Sequence, residues 1–235
     1  IAETRRFYRY YVSKSLFKIS VHQTATVEAS AGVAIVALYP RGPLLTSVTR
    51  LIDTLVDEGY LVIAVVNKSK QSTKWLKALE EKNITLLSRP NIGRDFGAYK
   101  IGYLFAEREG LLANAQHLVF ANDSMYYGPR SQPFVADLLK EAEPWTAMFV
   151  NHQPHTHAQS FFIRFSRELF MRKEFHQFWR SYFPSEDRGH AIHQGEVKLS
   201  TELIAAGYAP KSFVTPNRIL THRRFRGFKE HESHM

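Results

Sequence analysis

Residues 33–39 read VAIVALY, an uninterrupted apolar run rich in β-branched side chains and closed by Pro40-Arg41-Gly42-Pro43. A run of this kind without polar alternation describes a strand covered on both faces. Downstream, Thr46 or Ser47 can cap a helix that runs through Glu58. Val48, Leu51, Ile52, Leu55 and Val56 share one of its faces, and Gly59 stops it. Residues 61–66, LVIAVV, form a second buried strand with Asn67-Lys68 at its carboxyl end. A polar helix over 72–82, with Trp75, Leu76 and Leu79 inward, leads to a third short strand at 84–87. Strand, helix, strand, helix, strand is the rhythm of an α/β fold with a mostly parallel sheet flanked by helices.

Two stretches follow that frame. The first is RPNIGRDFGAYKIG at 89–102, where Asn91 and Gly93 fall at a strand end and Gly97, Ala98 and Gly102 fall on the opening turns of a helix expected over 96–109. Small residues there let backbone or ligand come close. The second is VFANDSMYYGP at 119–129, in which the strand 118–121 delivers Asn122, Asp123 and Ser124 to its carboxyl end. Carboxylates so placed point into the crevice where α/β sheets hold ligands. The pair reads as a nucleotide-sugar site, and that reading requires Asp95 and Asp123 to share a cavity. Further along, a helix after Pro133, a strand over 145–151, a strand over 160–165, an aromatic helix around Phe175, Phe178, Trp179 and Tyr182, and an amphipathic helix over 196–207 complete the chain. Residues 21–32 read as irregular or loosely extended.

With 235 residues, 44% hydrophobic and 23% charged, the chain suits one globular domain. The expected division is an extension over 1–30, one α/β domain over 31–215 and a basic tail over 216–235. No apolar run is long enough to cross a bilayer, and the start lacks the apolar core of a signal peptide. Zero cysteines exclude a disulfide scaffold and thiol catalysis and fit a cytoplasmic setting. The formal charge of +9 calls for an anionic partner. Its densest part, with Arg218, Arg223, Arg224, Arg226 and Lys229, reads either as a solvated tail or as a peripheral contact with a membrane surface. No nucleic-acid motif or interleaved aromatic-basic platform is present, so no nucleic-acid partner is expected.

A diphosphate needs neutralisation by a held metal, by basic side chains or by a helix amino terminus. Asp123 offers a hard oxygen ligand, and Asn122 and Ser124 offer neutral ones. A divalent cation, Mg²⁺ or Mn²⁺, would be held chiefly by the substrate's phosphates with Asp123 as its protein anchor. Asn-Asp also starts plain turns, and Arg94 and Asp95 can pair at a helix start. The glycines at 93, 97 and 102 match neither a Walker loop nor a Rossmann fingerprint. His152, His155 and His157 flank Pro154 without a fourth ligand, which disfavours zinc. His157, Gln159 and Ser160 fit better as an acceptor-facing loop that hydrogen-bonds sugar hydroxyls.

NIGRDFGAYKIGY resembles the Asn-x-Gly-x-x-x-Ala-x-Asn-x-Gly element of family-2 GT-A glycosyltransferases, with Lys100 in place of the second Asn. FANDSMYYGP resembles their Asp-x-Asp element but keeps only Asp123. The order VAIVALYP, VVNKS, RPNIGRDFGAYKIGY, FANDSMYYGP, HAQSFFIRFS, GEVKLSTELIAAGY, spanning 33–214, is similar to the rhamnan synthesis F family of bacterial polysaccharide rhamnosyltransferases. The resemblance implies a GT-A-like fold and a nucleoside-diphosphate sugar donor, dTDP-L-rhamnose in the first place. It also implies transfer with inversion to a growing glycan or lipid-linked acceptor at the inner face of the membrane. It places Ala37, Tyr39, Asn67, Asn91, Gly93, Arg94 and Asp95 around the nucleotide, Asp123 at the diphosphate, and Glu196, at the start of the last helix, as general base. The alternative is that Glu196 is an ordinary acid of a first helical turn and the chain a catalytically silent carbohydrate- or nucleotide-binding module.

Overall fold

The computed structural model describes residues 18–26 and 31–215; the basic tail expected over 216–235 lies outside them. Among these residues, eight strands form one sheet in the order β1 (Ser20–Gln23), β4 (Thr85–Arg89), β3 (Tyr60–Asn67), β2 (Gly32–Leu38), β5 (His117–Asn122), β9 (Phe162–Ser166), β6 (Trp145–Ala147) and β10 (Lys211–Ser212). Its centre is β2, β3, β4 and β5, all parallel and almost wholly buried. β6 and β10 run with them, whereas β9, between β5 and β6, and the edge strand β1 run against them. The sheet is therefore mostly parallel, as the sequence rhythm requires.

Helices cover both faces. α1 (Thr46–Asp57), α2 (Ser72–Leu79) and α4 (Gln132–Leu139) close a core of Val36, Val48, Leu55, Val62, Val66 and Trp75 on one side. α3 (Arg94–Arg108) and α6 (Lys173–Ser181) close the other around Ile35, Ile63, Phe96, Phe120 and Trp179. α3 lies so close to β2 that a Cβ at Gly102 would come within 2.4 Å of Ile35 Cγ2. A short helix, α5 (Arg167–Phe170), joins β9 to α6.

Several elements differ from the sequence expectation. The segment 21–32 contributes β1, which pairs with β4 along Ser20–Ser88 and Val21–Leu87. Neither Thr46 nor Ser47 caps α1: Leu45 occupies the cap, and Ser47 Oγ accepts the N–H of Tyr127. The strand expected over 145–151 is two strands, because the chain leaves the main sheet after Ala147 and β7 (Val150–Asn151) pairs with β8 (His157–Ala158) in a separate ribbon. The last helix, α7, starts well before Glu196. It runs as an α-turn over Arg188–His190, a π-helical stretch over Ala191–Val197 and an α-helix over Lys198–Ala205, so Glu196 sits in its middle. Asp187 caps it by accepting the N–H groups of Gly189 and His190.

Candidate functional site

Because β2, β3, β4 and β5 are parallel, their carboxyl ends meet along one edge of the sheet, where open α/β sheets bind ligands. Tyr39 follows β2, Asn67 ends β3, the 90–93 turn follows β4 and leads to Arg94 and Asp95 at the start of α3, and Asp123-Ser124 follow β5. These residues enclose a cavity of about 260 Å³ lined by Tyr39, Arg41, Asn67, Asn91, Arg94, Asp95, Asp123, Ser124 and Glu186. Asp95 and Asp123 thus share one cavity. A neighbouring cavity of about 200 Å³ has Arg94 and Asp95 in its wall as well and adds Phe96, Gln159, Ser160, Phe161, Arg188 and Glu196. A third, of about 360 Å³, adjoins the first through Tyr39, Arg41, Asp123 and Ser124 and is floored by Leu45, Val48 and Trp75. Asp123 borders the first and third, and Asp95 the first and second.

The turn that leads into Asp95 is shaped by Arg89. Its guanidinium is fully buried and donates to the carbonyl oxygens of Ile92 at 2.6 Å and Arg94 at 2.9 Å. Burial lowers its pKa to about 10, against the opposing pull of Glu186 and Asp95. Gly93 (φ 78°) and Arg94 (φ 52°) both take left-handed backbone conformations, which for the non-glycine Arg94 is a local strain. A Cβ on Gly93 would also overlap Pro184 Cβ at 2.1 Å. The Arg94 side chain turns to the carbonyl of Glu186 at 3.1 Å rather than pairing with Asp95.

Burial raises the Asp95 carboxyl to about 6, and the charges of Asp123 and Glu196 add to that, while Arg89 and Arg94 pull the other way. Burial also raises the Asp123 carboxyl, opposed by the N–H of Tyr39, which Oδ2 accepts at 2.8 Å. Asn67 is 1% exposed, and among the described residues its Oδ1 has no hydrogen-bond partner, although the residue lines the first cavity. Such an orphaned acceptor suits a ligand bearing an N–H or O–H group.

Glu196 comes from the π-helical stretch of α7, a conformation frequent at functional sites. Its Oε1 accepts the N–H of Ser160 at 2.9 Å, and its Oε2 lies 3.8 Å from His157 Nε2. His157 Nδ1 faces the carbonyl of His155 at 2.7 Å, which fixes the proton on that nitrogen.

Of the residues singled out from sequence, Tyr39, Asn67, Asn91, Arg94, Asp95, Asp123 and Ser124 line the first cavity, and Gln159, Ser160 and Glu196 the second. Ala37, Asn122 and His157 are buried behind these walls. Arg89, Glu186, Arg188 and Arg41 were not singled out. The last three come from loops and a helix start whose composition carries no signal. Arg89 is a charged residue inside an apolar strand, and that oddity could have flagged it. Among the described residues no group of three His, Cys, Asp or Glu forms a metal cluster. Asp123, with Oδ2 on the Tyr39 amide and Ser124 beside it, fits a cation only where phosphate oxygens complete the shell.

The model of the family described as rhamnan synthesis protein F matches residues 62–234. The chain belongs to the rhamnan synthesis protein F family. That family's description places its members in the synthesis of a polysaccharide. The match begins in β3 and reaches beyond the described residues, whereas the resemblance read from sequence motifs spans 33–214. The chain is also 29% identical over 197 residues to the uncharacterized protein y4gN of Sinorhizobium fredii, covering 81% of this chain and 50% of that protein. It thus spans about half the length of the curated relative it matches. A crystal structure of a mycobacterial protein superposes with a TM-score of 0.36 at 15% identity, over 61% of this chain and 56% of that one. Among the described residues no helix is long and apolar enough to cross a membrane.

Proposed function

We propose that this member of the rhamnan synthesis protein F family is a GT-A-like glycosyltransferase that moves a sugar, L-rhamnose in the first place, from a nucleoside-diphosphate donor to a growing glycan or lipid-linked acceptor. The observation that carries the reading is the pair of adjoining cavities with Asp95 in their common wall. The first, with Arg41, Arg94, Asn67, Asn91 and Asp123, suits a diphosphate and its nucleoside. Asp123 would anchor a divalent cation there, which would neutralise charge on the leaving diphosphate. The second, with Glu196, Gln159 and Arg188, suits sugar and acceptor hydroxyls.

In transfer with inversion the acceptor oxygen bonds to the anomeric carbon as the bond to the diphosphate breaks. The acceptor proton passes to Glu196, and the electron pair leaves with the diphosphate. Glu196 is held for this by the Ser160 N–H on one oxygen, while the other, beside His157, would take the proton. The basic stretch over 216–235 would bring the protein to an anionic membrane face where a lipid-linked acceptor resides.

The single acid of the Asn122-Asp123-Ser124 stretch, where the Asp-x-Asp element has two, favours a second reading, a silent nucleotide- or carbohydrate-binding module. Turnover of dTDP-L-rhamnose, by hydrolysis or transfer, separates the two when measured in wild type, Asp123→Ala and Glu196→Ala. Activity in wild type that is lost in both variants supports the enzyme. Binding of the donor without turnover supports the module, and full activity in both variants removes the site assignment.

A further inference from the structure

Asn122 is fully buried and its amide has only one possible orientation. Oδ1 accepts the N–H of Ser124 at 3.0 Å, and Nδ2 donates to the carbonyl oxygen of Ser160 at 3.2 Å and to Asp95 Oδ2 at 2.9 Å. A backbone N–H can only donate and a backbone carbonyl can only accept, so both ends are fixed and both Nδ2 hydrogens are used. The backbone of Ser160 is held from two further sides, one on each of its flanking peptides. Its carbonyl accepts the Tyr99 hydroxyl at 2.7 Å, and its N–H goes to Glu196 Oε1 at 2.9 Å. One side chain therefore spans from Asp95, which borders both cavities, to the carbonyl of Ser160, the residue whose N–H holds Glu196. An aspartate at this place would set a second carboxylate against Asp95 and offer no hydrogen to Ser160.

We propose that Asn122 is a positioning residue: its neutral amide locks the carboxylates of Asp95 and Glu196 at one fixed spacing across the two cavities, although it touches neither substrate. The inference rests on the reading of the crevice as a sugar-transfer site. It also accounts for the asymmetry of the Asn-Asp-Ser stretch: position 123 faces the cavities and is charged, while position 122 faces the interior and must both donate and accept.

Kinetics and stability test it together. Turnover of dTDP-L-rhamnose is measured in wild type, Asn122→Asp, Glu196→Gln and their combination. Melting temperatures are measured in Asn122→Asp, Asp95→Asn and the swapped pair Asn122→Asp/Asp95→Asn. Asn122→Asp is expected to lower kcat about a hundredfold, the scale of a displacement of about 1 Å at a reacting group, with donor KM little changed. In the Glu196→Gln background the same substitution should cost much less than it does alone, because part of its effect runs through Glu196. A general loss of fold would instead multiply. The swapped pair, which re-forms the bond with donor and acceptor exchanged, should regain much of the melting temperature lost in Asn122→Asp.

Wild-type kcat in Asn122→Asp, or independent effects in the combination, would overturn the positioning role while leaving sugar transfer standing. If wild type turns over no donor, the transfer reading falls and the melting temperatures decide the lock alone. Recovery in the swapped pair upholds it, and no recovery overturns it. Should Asn122→Asp fail to fold, folding of the swapped pair is the supporting result and its failure the overturning one.

Discussion

The backbone N–H of Tyr39 donates to Oδ2 of Asp123 at 2.8 Å, across 84 residues of sequence. This bond closes the loop after β2 onto the loop after β5, so Asp123 is both a wall of the crevice and the clamp that shapes it. Asp123→Asn keeps an oxygen for the Tyr39 amide and loses the charge, whereas Asp123→Ala loses both. Both variants are expected to lose donor turnover by about a hundredfold or more, the scale on which preorganised electrostatics act. Only the alanine variant should also lose stability, by about 1.5–3 kcal/mol for a bond to a charged group. Steady-state turnover beside urea denaturation of the two variants checks this, and equal stability losses would show that the clamp depends on charge rather than on an acceptor oxygen.

Asp95 makes the protein's stability depend on pH in a sense opposite to that of most acids. Its carboxyl is raised from 3.8 to about 6 in the folded state, first by burial. Between those values the folded chain binds more protons than the unfolded chain, so stability falls as pH rises through that window. The penalty, on the order of 2–3 kcal/mol at about 1.4 kcal/mol per pKa unit, is complete above pH 6 and absent below pH 4. Asp95→Asn keeps an acceptor for Asn122 and removes the charge. It should therefore be more stable than wild type at about pH 7.5 and no different at about pH 4, while losing turnover. Urea titrations at the two pH values decide it, and a variant less stable at both would mean that the carboxylate's bond to Asn122 outweighs its burial.

Lys100, which stands where the glycosyltransferase element carries an asparagine, does not reach the crevice. Its ammonium donates to the carbonyl oxygens of Arg180 at 3.0 Å and Tyr182 at 2.6 Å, satisfying the end of α6. Lys100→Met keeps the aliphatic stem and leaves those carbonyls without their donor. A loss of about 1–3 kcal/mol is expected, read by denaturant unfolding, with donor KM unchanged. A raised KM without a stability loss would return Lys100 to the site.

The central strands were legible because β2, β3 and β5 are covered on both faces and carry polar side chains only at their ends, where Tyr60, Asn67, His117 and Asn122 lie. With them came the carboxyl edge that brings Tyr39, Asn67, Asp95 and Asp123 together. The reversed direction of β9 was not legible, since FIRFS reads the same whichever way it runs. The split of 145–151 was hidden because Phe149 and Val150 continue the apolar texture after the chain has left the sheet. Nor does composition distinguish a π-helical stretch from an α-helix, so the sequence puts Glu196 at the start of α7 although Arg188–His190 already belong to it. Asn122 and Asp123 are neighbours with opposite fates, one facing inward and one toward the cavities, and the alternation of the strand into the loop gave that only once its register was known.

Gly195 sets the approach of the π-helical stretch to α3. A Cβ there would lie 2.9–3.0 Å from three atoms of the Phe96 ring. That ring stacks on Trp179 with centroids 5.7 Å apart, so it has little room to yield. Phe96 follows Asp95 and Gly195 precedes Glu196, so this contact fixes how closely the two carboxylates approach. Gly195→Ala should overpack the contact, cost about 1–3 kcal/mol and lower kcat by moving Glu196 off the Ser160 amide. Trimming the ring with Phe96→Leu in the same chain gives the added methyl room. The double variant should then recover kcat relative to Gly195→Ala alone, even though Phe96→Leu by itself is destabilising. Steady-state turnover of the three variants measures the recovery, and a double variant no more active than Gly195→Ala would mean that the glycine serves the backbone of the π-turn rather than the spacing of the two acids.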